Sequence, residues 1–283
     1  MAQRKAASVS DLLRYRPGSS DPAVANARAT PGAPGKRRET EAATALLEAR
    51  LSTLQEQLYA EGVTGGHRRL LLVLQGMDTA GKDGTVRRVM GQVDPAGVRV
   101  TSFKAPTRTE LRHDFLWRVE RAVPPPGFVG IFNRSHYEDV LVARVHSLVP
   151  EAEWSTRYDR INAFERRLVD EGTHLVKVFL HISSAEQKAR LLARLDDPTK
   201  HWKFNPGDVD ERYRWADYTR AYADALVRCS TEYAPWYVVP ADRKWYRDFA
   251  IASLLVEALS HMAPQYPPAA FDVDEQRARV LAT

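Results

Sequence analysis

The stretch "LLLVLQGMDTAGKDGT", residues 70–85, constrains this chain more than any other. The short continuous apolar run "RLLLVLQ" (69–75) reads as a strand buried on both faces, as in parallel sheets. It runs directly into Gly76, four further residues, then Gly81 and Lys82, which matches G-x-x-x-x-G-K. A helical pattern follows at 83–92. Strand, glycine-rich loop and helix in that order make a phosphate-binding loop: backbone N–H groups and the helix N-terminus face an anion, and the lysine adds a full positive charge. The loop's candidate phosphate contacts are Gly76, Thr79, Ala80, Gly81, Lys82, Asp83, Gly84 and Thr85.

One letter departs from the common pattern. Asp83 stands where a Ser or Thr hydroxyl usually helps hold Mg²⁺. Asp78, inside the loop, can supply an oxygen ligand instead, since Mg²⁺ is commonly held by one or two carboxylates, waters and substrate phosphates. Asp83 equally suits the first turn of a helix, where a negative charge complements the dipole. Carboxylates beside a phosphate repel it unless cations intervene, so the loop implies dependence on Mg²⁺.

Strands and helices alternate from there. "GVRVTSF" (97–103), "GFVGIFN" (127–133), "HLVKVFLHI" (174–182) and "WYVVP" (236–240) read as four more strands. Helical patterns are expected at 39–61, 108–122, 135–147, 154–171, 184–196, 208–230 and 243–262. In the first of these, Leu46, Leu47, Leu51, Leu54 and Leu58 mark the buried face. Five strands separated by helices predict an α/β fold, a doubly wound parallel five-stranded sheet in one domain spanning 39–265. Residues 1–38 form a basic arm punctuated by Pro17, Pro22, Pro31 and Pro34, expected to be flexible or to wrap the surface; 266–283 form a tail.

In such a sheet ligands gather at the carboxyl ends of the strands. "GIFNRSHYED" (130–139) leaves a strand there. It places Arg134 beside the loop, able to fork onto phosphoryl oxygens, and Asn133 where many phosphate-loop enzymes carry an acid for Mg²⁺. Glu138 and Asp139 follow, either as ligands or as a solvated helix start, and His136 reads as a packing residue. The segment "ARLDDPTKHWKFNPGDVDER" (193–212) carries Arg194, Lys200, Lys203, Asp208 and Arg212 between two helical patterns. It is either a lid over phosphates or an exposed loop. Lys104 follows the second strand, with Arg108 and Arg112 close behind. Together these cations exceed what one nucleoside triphosphate needs and suggest a longer polyanion.

Composition narrows the setting. Lys and Arg total 41 against 36 Asp and Glu, a net charge of +5, so the positive charge is local rather than a coat for nucleic acid. Cys229 is the one cysteine, which rules out a disulfide framework and a Cys-based zinc site. No apolar run approaches the roughly 18 residues of a membrane span, and a cytoplasmic protein is expected.

"GMDTAGKDGT", "FKAPT", "FNRSHYEDVLV" and "RLDDPTKHWKF", in this order, closely resemble family-two polyphosphate kinases, and "ATPGAPG" and "APWYVVPADRKWYR" are similar too. The resemblance implies a P-loop kinase fold with a helical lid at about 194–212. It implies transfer of a terminal phosphoryl group between inorganic polyphosphate and a nucleotide with Mg²⁺, for which Mn²⁺ can substitute. "GxDxAGKDG" is that family's ordinary loop, so Asp83 is no lesion. Carried over, Asp78 is a metal-coordinating or catalytic carboxylate, Lys82 and Arg134 hold phosphate and serve catalysis, Arg194, Lys200 and Lys203 are lid contacts, and Asp208 is a further functional acid. Much of the family has Asp before the arginine, in "DRSWYNR"; here Asn133 stands there, and "NRSHYED" resembles the class III subgroup, which phosphorylates both nucleoside monophosphates and diphosphates. Asp139 then becomes a candidate for the missing metal-binding charge.

The implied partners are polyphosphate, AMP, ADP and ATP, guanine nucleotides in addition, and further copies of the chain in a dimer or tetramer. No specific nucleic acid and no membrane are expected. An ATP-dependent nucleoside monophosphate kinase and a non-catalytic nucleotide-sensing switch are the alternatives on the same loop; the lack of N-K-x-D counts against a GTPase switch.

Overall fold

The computed structural model describes residues 7–18 and 25–283. Residues 1–6 and 19–24, the latter including Pro22, are parts of the arm that lie outside the described residues. Its helices are α1 (Val9–Leu13), α2 (Arg37–Val63), α3 (Lys82–Met90), α4 (Trp117–Glu120), α5 (Val142–Val145), α6 (Glu151–Asp170), α7 (Ser184–Leu195), α8 (Gly207–Tyr213), α9 (Trp215–Cys229), α10 (Lys244–Met262) and α11 (Val273–Leu281). The strands are β1 (Arg69–Gly76), β2 (Val98–Ser102), β3 (Val129–Asn133), β4 (Thr173–His181) and β5 (Trp236–Pro240).

All strand pairs are parallel, in the order β2-β3-β1-β4-β5. β1 is central, with Leu70 to Leu74 almost wholly buried, because helices cover both faces. α2, α3 and α10 pack together on one side, and α5, α6 and α9 on the other. The strand order reverses around β1, so the carboxyl ends of β1, β3 and β4 open a crevice where the chain turns outward. α10 is the most deeply packed helix, with Phe249, Ile251, Leu254, Leu255 and Leu259 all in the core.

Several expected helices differ. In α2, Leu51, Leu54 and Leu58 are buried, but Leu46 is 76% exposed. The inward stripe continues through Thr44 and Glu48 instead, and of two adjacent leucines only Leu47 packs against the core. The 108–122 segment forms a short 3-10 turn (Glu110–Arg112) and α4, because the Asp114 side chain accepts the Leu116 N–H and restarts the chain. Residues 135–147 likewise split into a 3-10 turn at His136–Asp139 and α5, and 208–230 breaks at Arg214 into α8 and α9.

The described part of the arm wraps the surface. Ser8 and Asp11 form a capping box that starts α1, Arg14 bridges Tyr237 in antiparallel fashion, and the Tyr15 N–H donates to Trp236 O at 2.8 Å. Further on, Ala25 O accepts from His181, Ala27 O from the Asp242 N–H and Pro31 O from the Tyr246 hydroxyl.

Candidate active site

The loop after β1 is shaped by backbone conformations that side chains disfavour. Gly76 (φ +154°) and Gly81 (φ +111°) bracket it, and Thr79 holds φ +63°. A Cβ on Gly76 would lie 2.8 Å from Leu180 O, so β4 leaves no room for one. From outside, Arg190 of α7 grips the loop, donating to Thr79 O and Ala80 O at 2.9 and 3.1 Å and to Ala241 O and Asp242 O. Gln187, one turn earlier, donates to Asp78 O at 3.0 Å.

Lys82 curls back over the loop, its ammonium donating to Gly76 O at 2.6 Å and Met77 O at 3.3 Å. Burial and the neighbouring Arg134 lower its pKa, against the pull of Asp78, Glu138 and Asp83. Opposite stands Arg134, just past β3, also left-handed (φ +62°) and fixed by its N–H to Leu74 O. Its guanidinium meets Asp78 Oδ1 at 3.0 Å and Glu138 Oε2 at 3.7 Å. Burial works against the charge on Arg134, but Glu138 and Asp78 outweigh it and leave the pKa above its usual value.

The loop and the Arg134 turn are tied by a buried polar chain. Gly76 N–H donates to Tyr222 Oη, Tyr222 donates to Gln75 Oε1, Gln75 Nε2 donates to Ser135 Oγ, and Ser135 Oγ also accepts from Tyr137 N–H. Beside it, Asn133 Nδ2 donates to Asp83 Oδ1 at 2.6 Å. Asn133 therefore commits an amide N–H to Asp83, and both line the same cavity.

Two cavities meet here, with Asp78, Arg134, Asn205 and Asp208 lining both. The larger, about 880 Å³, is walled by the loop residues Thr79, Gly81, Lys82, Asp83 and Gly84, by Lys104 and Asn133, and by Arg194, Lys200 and Lys203. The smaller, about 260 Å³, is lined by Gly76 and Glu138 together with His146, Glu211, Trp215, Tyr218 and Tyr222. In the 194–212 segment Arg194 donates to Lys203 O and meets Asp208 Oδ2 at 3.4 Å. Burial and Asp78 raise the Asp208 pKa.

The structure thus gathers Asp78, Lys82, Asp83, Lys104, Asn133, Arg134, Glu138, Arg194, Lys200, Lys203 and Asp208 around one space. Thr85 and Ala80 are fully buried behind it. Asp139 does not join them. It lines neither cavity and is turned to Arg157, at 3.2 Å, and Arg118, at 3.9 Å. The tight 3-10 turn, where a helix was expected, swings it away from Glu138. Arg108 and Arg112 are exposed and line neither cavity.

Sequence reasoning missed Arg87, Arg190, Lys244 and Arg247 in the large cavity and the His146–Glu211–Tyr218 group in the small one. Lys244 and Arg247 sit in "DRKWYRD" on the helix after the last strand, a basic cluster at a strand's carboxyl end.

Hard oxygen donors suit Mg²⁺, and Asp78, Asp83, Glu138 and Asp208 all face the cavities. Among the described residues no group of three His, Cys, Asp or Glu could hold an ion alone. Among the described residues no helix is long and apolar enough to cross a membrane.

Residues 35–267 match the family profile of polyphosphate kinase 2. The chain is 54% identical over 233 residues to an AMP/ADP-polyphosphate phosphotransferase of Meiothermus ruber, covering 82% of this chain and 85% of that one. It is 44% identical over 230 residues to an ADP-polyphosphate phosphotransferase of Rhodopseudomonas palustris, covering 77% and 78%. The crystal structure of polyphosphate kinase 2 from Arthrobacter aurescens superposes with a TM-score of 0.95 over 98% of both chains at 51% identity.

Proposed function

The chain belongs to the polyphosphate kinase 2 family and is a polyphosphate-dependent nucleotide kinase, and on that premise we propose that it phosphorylates both AMP and ADP from inorganic polyphosphate with Mg²⁺. The observation that carries this reading is the pair of cavities joined at Asp78, Arg134 and Asp208. The large cleft, lined by lysines and arginines, suits a long polyanion. The compact, aromatic-walled one suits a nucleotide with its phosphates toward Arg134.

Phosphoryl transfer asks for alignment and charge neutralisation more than for covalent help from the protein. A terminal phosphate oxygen of the nucleotide attacks the terminal phosphorus of polyphosphate. The bridging P–O bond breaks, and the chain leaves one unit shorter. The attacking oxygen is already anionic, so no general base is required. Lys82 spends two N–H donors on loop carbonyls and keeps a third for a phosphoryl oxygen. Arg134, aimed by Asp78 and Glu138, forks onto the group in transit.

Mg²⁺ would be held by Asp78, with Asp208 or Glu138, and would supply charge neutralisation for the phosphates. The 194–212 segment acts as the lid, Arg194, Lys200 and Lys203 holding the donor and excluding water. Guanine nucleotides as further acceptors, a cytoplasmic setting and assembly as a dimer or tetramer belong to the same reading through the resemblance in sequence.

The test is a donor exchange: the purified protein, Mg²⁺ and AMP or ADP, with polyphosphate or ATP as donor and products separated by chromatography. ADP and ATP formed from AMP with polyphosphate alone are the expected result. Transfer only to ADP would undo the dual-acceptor reading, and transfer only from ATP would undo the donor.

A further inference from the structure

Beneath Arg134 lies a cluster of ionisable side chains, all fully buried, that touches neither cavity. Lys177 projects from the middle of β4, Glu165 from α6, and His136 and Tyr137 follow Arg134 by two and three residues; all four have no exposure. Lys177 Nζ uses every donor it has: to Glu165 Oε2 at 2.5 Å, to Cys229 O at 2.7 Å and to Tyr137 Oη at 3.0 Å. Tyr137 then donates to Glu165 Oε1 at 2.8 Å, and His136 Nε2 reaches the same oxygen at 3.2 Å.

Burial alone would raise the Glu165 carboxyl, but Lys177 and the His136 hydrogen bond overcome this and leave it below its usual range. Burial keeps His136 neutral, so the imidazole donates through Nε2 to an ionised carboxylate. Tyr137 and Lys177 also pack against Trp236, with ring centroids 4.7 Å apart and Nζ 5.3 Å above the indole.

A buried ion pair is a poor source of stability. Removing two charges from water costs about as much as their attraction returns, and apolar side chains of similar volume often hold a fold as well or better. What the cluster does supply is direction. Arg134 stands in a left-handed conformation that only its surroundings can enforce. The three residues after it, Ser135, His136 and Tyr137, are all pulled to zero exposure by polar partners, while the Arg134 side chain is left 42% exposed at the cavities.

We propose that the Lys177–Glu165–Tyr137–His136 cluster is a positioning device that locks the turn carrying Arg134 and so aims its guanidinium at the transferring phosphoryl group. This rests on the polyphosphate kinase reading, and Lys177, Glu165, Tyr137 and His136 are positioning residues that never touch substrate.

The test compares wild-type enzyme with the paired apolar replacement Lys177→Met/Glu165→Leu and with Tyr137→Phe. Melting temperature, and kcat and KM for polyphosphate and for the nucleotide, are measured on each. The paired variant is expected to keep its melting temperature within a few degrees, to lose about 10- to 100-fold in kcat, and to keep both KM values within about threefold, because a misaimed group costs rate rather than binding. Tyr137→Phe, which removes one hydroxyl and keeps the ring, is expected to lose about three- to tenfold in kcat when assayed well below its melting temperature, which should fall by only a few degrees as one Lys177 N–H loses its acceptor. That second variant decides the matter if the first does not fold. Unchanged kcat in Tyr137→Phe, or losses in either variant that disappear when the assay is run well below the melting temperature, would overturn the proposal. Absence of polyphosphate-dependent transfer in the wild-type enzyme would strike the functional reading itself, a separate outcome.

Discussion

Arg134 and Asp78 meet at 3.0 Å although 56 residues separate them, one at the end of β3 and the other on the loop after β1. The parallel pairing of β1 with β3, which sets Leu74 beside Asn133, brings them together. Asp78→Asn keeps the shape and removes the charge that aims Arg134. It should lower kcat by about 10²- to 10³-fold, as loss of a preorganised electrostatic group does. Transfer rates across a Mg²⁺ titration check this, and the variant should need more Mg²⁺ for half its maximal rate.

Lys82→Ala removes the loop's one cation. Its expected cost is again about 10²- to 10³-fold in kcat, with a small change in melting temperature, since the ammonium pairs only with backbone carbonyls. Near-normal turnover in this variant would contradict the role of Lys82.

Gly81 tests the loop's shape rather than its charge. A Cβ there would lie 2.0 Å from Arg247 Nη1, and the residue holds φ +111°. Arg247 can shift its end, but the backbone cannot easily change. Gly81→Ala should cost about 1–3 kcal/mol in denaturant unfolding and a larger share of activity, because the loop's N–H groups lose their common focus.

Asp139 gives a prediction in pH. Burial pushes its carboxyl up to about 6, against the pull of Arg157 and Arg118, from 3.8 in the unfolded chain. Between those values the native state holds the proton more tightly than the unfolded state, so this group's contribution to stability falls as pH rises and levels off above about 6. The stability of the wild type minus that of Asp139→Asn should therefore drop by roughly 2 kcal/mol from pH 4 to pH 7, measured by urea unfolding. The same variant should keep its transfer rate within about threefold, since Asp139 lines neither cavity.

The strands were the legible part of the sequence, because a strand buried on both faces is a short apolar run with turn residues at its ends. "WYVVP" matches β5 residue for residue. The loop and Arg134 were legible for a related reason: glycine spacing and a strand's carboxyl end are local signals. What escaped was decided by tertiary neighbours. Whether Asp139 or Glu138 faces the cavity depends on a 3-10 turn set by the Ser135 cap and by Arg157 arriving from α6. Lys177, in a strand otherwise read as apolar, gave no hint that Glu165 lay opposite. Leu46 and Leu47 carry the same chemistry, and only the packing of α10 against α2 chooses between them.

The strap from Ser8 to Tyr15 meets the outer edge of β5 at Trp236 and Tyr237. Its partners are Trp236, Tyr237 and Glu257, whose carboxylate accepts the Val9 and Ser10 N–H groups at 3.1 Å. These emerge from the ribosome more than 200 residues after the strap does. Until then the strap has nothing to hold, and once β5 forms, its outer rim is a bare row of amides and carbonyls open to any passing strand. Docking of the arm covers that rim at Trp236 and Tyr237 from within the same molecule. The contact is long-range in sequence, so the strap seats only after β5 has formed, and it then stands between that part of the sheet edge and any second chain.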